Sequence, residues 1–466
     1  MKRYTLVFAT VMAGGIFAAA AVAETADNAS PSPAASSGSG DCGNCGCSSD
    51  CQCGCGCGSA VGCGDGWCCP SVTTDRLFDG CCCLKQCDTT LTGWVEGGIM
   101  GNADGPSTHF NGPTTFPDDD RGQLNQFYGV LQRTPADMSK NCGWFLGYDV
   151  DFFYGSDYFF TTAAGLDGTK HGNTPRWNGD PDQNYGFAMP QLYFETDYND
   201  LRVKWGHFYT IIGYEVVPAI GNFFYTHSYT MQYGEPFTHT GMLASSNINE
   251  CWSWSGGVVS GWNDFSMQEG AQFLGGLTYT EKDCTTLAVS VVTGNESDIN
   301  VPGVAPESNR TMYSVVWSNT LSSRLSYVLQ HDLGVQQDTQ GFNALGDKTC
   351  EWYGINQYLF YKLNCCWTAG WRFEWFDDPS GYVVTGLRPG NGDARFRFPG
   401  DFYETSFGLN YKPNGNFTLR PELRYDWYHG QGGFSSPGVP VAGAQPFNDS
   451  QDKDQFLFGL DAIYQF

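Results

Sequence analysis

The chain has 466 residues, 49 of them Asp or Glu against 24 Lys or Arg, for a formal net charge of −25. That acidity argues against nucleic acid as a partner. With 14 Trp, 25 Tyr, 33 Phe and 60 Gly beside only 16% charged residues, the composition suits strands and turns better than helices.

Met1-Lys2-Arg3 opens a positive segment, Tyr4 to Ala20 is apolar or small apart from its threonines, and Ala21-Val22-Ala23 precedes Glu24. This pattern predicts a secretory signal peptide over 1–23, cleaved after Ala23. A retained anchor would need about 20 apolar residues. No later stretch is long and apolar enough for a transmembrane helix, so any membrane span must be built from strands. Residues 24–41, rich in Ala, Ser, Pro and Gly, read as a flexible linker.

Residues 42–87 hold 14 of the 20 cysteines. Cys45-x-Cys47 and Cys51-x-Cys53-x-Cys55-x-Cys57 have the close spacing of thiolate clusters for Zn or Cu(I). The export signal, however, places this module in an oxidising compartment and favours disulfides or intermolecular cross-links. Their connectivity cannot be deduced from spacing, and no metal or other cofactor is assigned.

From 91 onward the chain breaks into sixteen short alternating segments. They span 91–100, 123–134, 142–155, 188–198, 201–209, 239–249, 252–262, 271–280, 284–293, 311–319, 323–332, 350–362, 365–376, 401–412, 416–428 and 454–466. Each is long enough for a tilted strand to cross a bilayer. Long connections, such as 156–187 and 210–238, alternate with short ones, such as Asn199-Asp200 and 249–251. Outer-membrane barrels sort their loops in this way. The expected fold is all-β: a transmembrane antiparallel β-barrel of about 16 strands (range 12–18), residues 91–466, behind a disordered, Cys-rich extension. With an even strand number both barrel ends lie on the periplasmic side, where the N-terminal module would hang.

Side-chain alternation agrees. Trp144, Leu146, Tyr148, Val150 and Phe152 oppose Gly147, Asp149 and Asp151; Trp367, Ala369, Trp371, Phe373 and Trp375 oppose Thr368, Gly370, Arg372 and Glu374. Period two sends one set to lipid and the other to a polar lumen. The last segment alternates Phe456, Phe458, Leu460, Ala462, Tyr464 and Phe466 with Leu457, Gly459, Asp461, Ile463 and Gln465. Ending in Tyr-x-Phe, it resembles the terminal strand that the barrel assembly machinery reads.

Around the third long connection stand Lys204-Trp205-Gly206-His207-Phe208, Gly213-Tyr214-Glu215, Asn222 to Tyr229 (Asn-Phe-Phe-Tyr-Thr-His-Ser-Tyr) and Pro236-Phe237-Thr238-His239-Thr240-Gly241. This wording resembles the OmpL-like β-barrel porins, β-barrel porin type two, over about residues 91–466. The resemblance implies an outer-membrane barrel and a pore, without naming a solute. The Cys-rich head lies outside it.

A barrel of this size encloses an aqueous channel, which something must narrow. The 210–238 connection, with Glu215 and Glu235, is the candidate constriction. Alternation points Arg202, Lys204, Arg372, Arg420 and Arg424 into the lumen, interleaved with Glu374, Glu422 and Asp426. Such rings would set a transverse field that tunes ion selectivity, or simply pair across strands. An acidic mouth would favour cations and a basic wall anions, so a poorly selective pore is expected.

An enzyme lacks a site here. His227 and Ser228 are adjacent, so an extended chain points them to opposite faces, and His207, His227 and His239 match no metal-binding spacing. Five cysteines, Cys142, Cys251, Cys284, Cys365 and Cys366, fall at short connections, and only Cys350 at the other end. This one-sided placement predicts a periplasmic rim stapled by disulfides. The expected function is passive diffusion of small hydrophilic solutes or ions, in outer-membrane lipid, with homo-oligomerisation left open. The alternative is a structural envelope protein, a barrel that anchors a disulfide-linked layer through its Cys-rich head.

Overall fold

The computed structural model describes residues 84, 88–114, 121–133, 143–167, 178, 184–266, 270–281, 284–296, 308–339, 343–384, 396–436 and 438–466. The expected signal peptide, the linker, nearly all of the Cys-rich module and Cys142 lie outside them.

The strands are β1 Thr90–Asn102, β2 Arg121–Arg133, β3 Trp144–Gly155, β4 Gly186–Tyr198, β5 Leu201–Tyr209, β6 Thr238–Asn247, β7 Trp252–Val259, β8 Gln272–Glu281 and β9 Thr285–Glu296. They continue as β10 Ser308–Thr320, β11 Leu325–Gln336, β12 Cys350–Lys362, β13 Trp367–Asp378, β14 Gly400–Tyr411, β15 Phe417–Gly430, β16 Phe434–Ser436, β17 Val439–Pro440 and β18 Asp454–Gln465. The small β16–β17 hairpin sits in the last long connection, and the other sixteen strands close into one antiparallel barrel. Closure joins β1 to β18, with Gly97 opposite Ala462. Backbone bonds between Gly93 and Phe466 extend this seam. All sixteen expected segments are barrel strands. Several run further than hydrophobicity alone marks, as in β10, because the backbone ladder continues past the point where side chains stop meeting lipid.

The barrel is apolar outside and polar inside. Trp144 is 79% exposed and Phe194 64%, whereas Asp149, Asp151 and Glu195 are buried on the inner face. An outward row runs across five strands through Leu359, Trp371, Phe407, Leu423 and Phe458. Just above the short turns, Trp144–Tyr198, Trp252–Tyr279 and Trp367–Tyr411 form cross-strand pairs with ring centroids 4.6 to 4.9 Å apart. At the other end Trp375, Tyr403 and Trp427 stand side by side. These two aromatic levels are the girdles expected at the membrane interfaces.

Candidate functional site

The connection between β5 and β6, residues 210–237, does not stand outside the barrel. Its middle is almost wholly buried, and it crosses the lumen to the far wall. It includes a short 3-10 turn, Ala219–Gly221, and a single π turn, Thr230–Gly234.

Buried backbone groups need partners, and here the barrel wall supplies them. Arg420 donates from Nη1 to the carbonyls of Ala219 and Asn222 at 3.1 and 2.9 Å. Arg372 donates to Thr226 O at 2.8 Å, and Arg424 to His227 O at 2.6 Å. The Glu422 carboxylate accepts the N–H groups of Tyr225 and Thr226 at 2.7 and 3.1 Å. Glu374 accepts those of Tyr229 and Thr230, both at 2.6 Å. Charge-assisted bonds of this kind are roughly twice as strong as neutral ones. Alternating cations and anions on β13 and β15 thus substitute for a neighbouring strand.

The charges also neutralise one another. Arg372 bridges Glu404 and Glu215 at 2.5 and 2.7 Å. Arg420 binds Glu96 and Asp461 at 2.6 and 2.7 Å, and Arg424 binds Asp426 at 2.8 Å. On β2, Gln126 donates to Val217 O and accepts from Ala219 N–H. Within the loop, Glu215 also accepts from Ser228 N–H and the Tyr358 hydroxyl. Burial pushes the Glu215 carboxyl up, but the Arg372 guanidinium and its other donors outweigh that and hold it well below the usual carboxylate range. Glu235 is raised instead, first by burial and then by the charge of Asp332; it accepts a hydrogen bond from Gln330.

Glycines shape the wall to the loop's aromatic rings. A Cβ at Gly98 would lie 2.6 Å from the Tyr225 ring, and one at Gly370 2.2 Å from Phe223. At Gly408 the nearest atom would be Phe224 at 3.1 Å, and at Gly354 Thr230 Oγ1 at 2.1 Å. Phe223 and Phe224 join Tyr214, Tyr358 and Phe360 in a buried cluster inside the barrel.

The structure therefore brings together Glu215, Arg372, Glu374, Arg420, Glu422, Arg424 and Asp426, all of them bonded to the loop, to its latch or to one another. Their signs interleave on one wall. Glu235 sits further along the same loop. Arg202 lies apart, 3.2 Å from Glu195 and 3.6 Å from Asp197, and Lys204 Nζ lies 4.6 Å over the Tyr193 ring. His207 pairs with Thr240, and His239 with Thr210 and Gly261 O. Cys251, Cys284, Cys365 and Cys366 lie in the short turns at the end where β1 begins. Sequence reasoning missed Glu96, Glu404, Gln126 and the glycine sockets. The available signal was alternation itself, which places Glu96, Glu404 and Gly370 on inward positions.

Opposite the latch, the wall is small and neutral. Ser245 pairs with Ser255, Ser255 with Gly276, Gly276 with Ser290, and Ser290 with Ser314. This inward row crosses β6 to β10 at one level. The loop approaches it at Ile211, whose Cδ1 would lie 3.1 Å from a Cβ on Gly276.

The family model described as "Putative beta-barrel porin-2, OmpL-like" matches residues 88–466. No curated protein matches the chain. Among solved structures, the anion-selective porin from Comamonas acidovorans aligns with a TM-score of 0.51 at 9% identity, over 81% of this chain and 99% of that one. The outer membrane channel DcaP of Acinetobacter baumannii aligns with a TM-score of 0.48 at 12% identity, over 81% and 97%. At such identity the first likeness is one of fold.

Proposed function

Because the chain belongs to the OmpL-like β-barrel porin-2 family, we propose that it carries small hydrophilic solutes or ions passively across the bacterial outer membrane, along the wall of small neutral residues that faces its anchored loop. The observation behind this reading is the asymmetry of the interior. Residues 219–230 are bonded to β13 and β15, while Ser245, Ser255, Gly276, Ser290 and Ser314 form a row on the other side. Hydroxyls both donate and accept, so such a wall can replace part of a solute's hydration without committing to one charge. In this reading the path narrows where Ile211 approaches Gly276.

In this reading the interleaved charges hold the constriction loop in place, and selectivity follows from size more than from a transverse field. Transport needs no cofactor and follows the concentration gradient. The outward aromatic levels hold the barrel in lipid, and the β18 strand, with Phe456, Phe458, Leu460 and Tyr464 on its lipid face, is the segment offered to the assembly machinery.

Single-channel recording of the full-length protein in a planar bilayer tests this. Discrete, lasting current steps are expected, larger for Ile211→Ala and smaller for Gly276→Val. A folded barrel that passes no current would overturn the reading.

A further inference from the structure

Beside the serine row on the inner wall of β6 to β10 lies a row of different chemistry. Two residues further from the short turns on the same strands, Leu243, Gly257, Leu274, Val292 and Met312 pair each with the next. Two residues further again, Gln272, Gly294 and Arg310 pair in turn, and Gln336 follows on β11. Arg310 Nε donates to Gln336 Oε1 at 2.6 Å. An aliphatic belt is thus set between two polar rows on one wall.

The belt is no part of the lipid face, which takes the alternate residues of those strands, such as Phe273 at 49% exposure. Leu274, Val292 and Met312 are fully buried and Leu243 nearly so. They share one buried cluster with Ile212, the loop residue next to Ile211. Ile212 is fixed there: its N–H donates to Thr210 Oγ1 at 3.2 Å, and that hydroxyl pairs with His239 Nε2 at 3.0 Å. On β12, Trp352 continues the belt, lying against Gly334 and donating to Gly234 O of the loop at 3.1 Å. Anchoring the loop does not call for this row, because the loop's backbone is bonded to β13 and β15. Alternation on a lumen wall calls for polar residues here, as in the rows on either side.

We propose that Leu243, Leu274, Val292 and Met312, with Ile212 facing them, set the solute class of the pore. It takes uncharged molecules that carry hydroxyls around an apolar face, and holds ions back. This rests on the porin reading, in which a solute following this wall to the serine row must pass the belt. Hydrocarbon groups cannot replace the water that an ion sheds, and apolar constrictions of pores oppose wetting. A solute with one apolar face loses little there. Its hydroxyls meet Gln272 and Gln336 on one side of the belt and the serines on the other.

The test uses the full-length protein, in planar bilayers for KCl conductance and in liposomes for swelling in glucose. Val292→Thr combined with Met312→Gln makes the belt polar at nearly constant volume. KCl conductance should rise several-fold while the swelling rate changes little. Val292→Thr alone, the variant closest in shape, should move the ratio of conductance to swelling the same way by less. Met312→Leu, which keeps the belt apolar, should leave that ratio at the wild-type value. An unchanged ratio in the two polar variants, or an equal shift in Met312→Leu, would overturn the proposal and leave the porin reading standing. A folded barrel that passes neither salt nor glucose, in the wild type and in every variant, would instead overturn the porin reading and this one with it.

Discussion

Arg372 on β13 and Glu215 in the inward loop meet at 2.7 Å, with side-chain exposures of 0% and 5%. The same guanidinium holds Glu404 and the carbonyl of Thr226, so one side chain ties the loop, the wall and the neighbouring strand together. Arg372→Ala leaves two buried carboxylates without their cation, a loss of about 3–5 kcal/mol. The loop should detach. Larger, noisier single-channel currents and new proteolytic cleavage between 215 and 230 are expected. Arg372→Lys should fall between, because an ammonium cannot reproduce the planar fork.

Gly370 is a socket for Phe223. Gly370→Ala brings a methyl to 2.2 Å of the ring, and overpacking of this kind costs about 1–3 kcal/mol. Phe223→Leu should relieve most of that cost. In a double-mutant cycle read by denaturant unfolding, the pair should be more stable than the sum of its single variants predicts. Simple additivity would mean that ring and wall do not touch.

Leu423 is 44% exposed in the outward row of β15. Leu423→Arg should destabilise the barrel in lipid by about 2–4 kcal/mol, the usual cost of a cation facing the hydrocarbon midplane. Equilibrium unfolding in vesicles measures it.

Glu215 and Glu235 lie in one loop yet are shifted in opposite directions. Glu235, raised by burial and by Asp332, supports the folded loop fully below the ordinary glutamate range. That support is lost as pH rises through the raised value. Glu215, lowered by Arg372 against burial, contributes above the ordinary range and loses its effect only as pH falls through the lowered value. Infrared difference spectra across a pH titration should therefore contain a carboxyl contribution titrating above the ordinary glutamate range that is lost in Glu235→Gln and kept in Glu215→Gln. Mild acidification should not open the constriction.

Asp449, in the last long connection, reaches across to the first: it accepts from the Ser107 N–H and hydroxyl at 2.6 and 2.7 Å and from the Thr108 hydroxyl. Burial is the largest single influence and raises its carboxyl, but these donors together outweigh it and keep the group below the ordinary value, so the clasp holds above that range and is lost as pH falls through the lowered value. Asp449→Ala should make residues 103–114 protease-sensitive at neutral pH while the thermal unfolding of the barrel stays unchanged.

Much of the architecture was legible from local pattern. Period-two alternation in β13 and β15 placed Trp371 and Leu423 on lipid and Arg372 and Arg424 inside, because neighbouring residues of a strand must face opposite ways. The alternation of long and short connections set the topology, and the wording of 204–241 pointed to the family. Alternation could name Arg372 as inward, but it could not say what Arg372 meets.

By itself, then, the amino-acid sequence marked out the candidate strands, their facing and the rim that carries most of the barrel's cysteines, since these follow from covalent periodicity and turn chemistry, while the exact strand number came with closure of the barrel. Only the tertiary structure decided that residues 210–237 fold inward, that Glu422 and Glu374 receive the loop's N–H groups, and that Gly98 and Gly370 are sockets. Those contacts join residues more than a hundred positions apart. They arise because a loop that buries its backbone inside a closed barrel must satisfy every backbone group there, and the groups that do so are set by barrel closure and not by any neighbour in the chain.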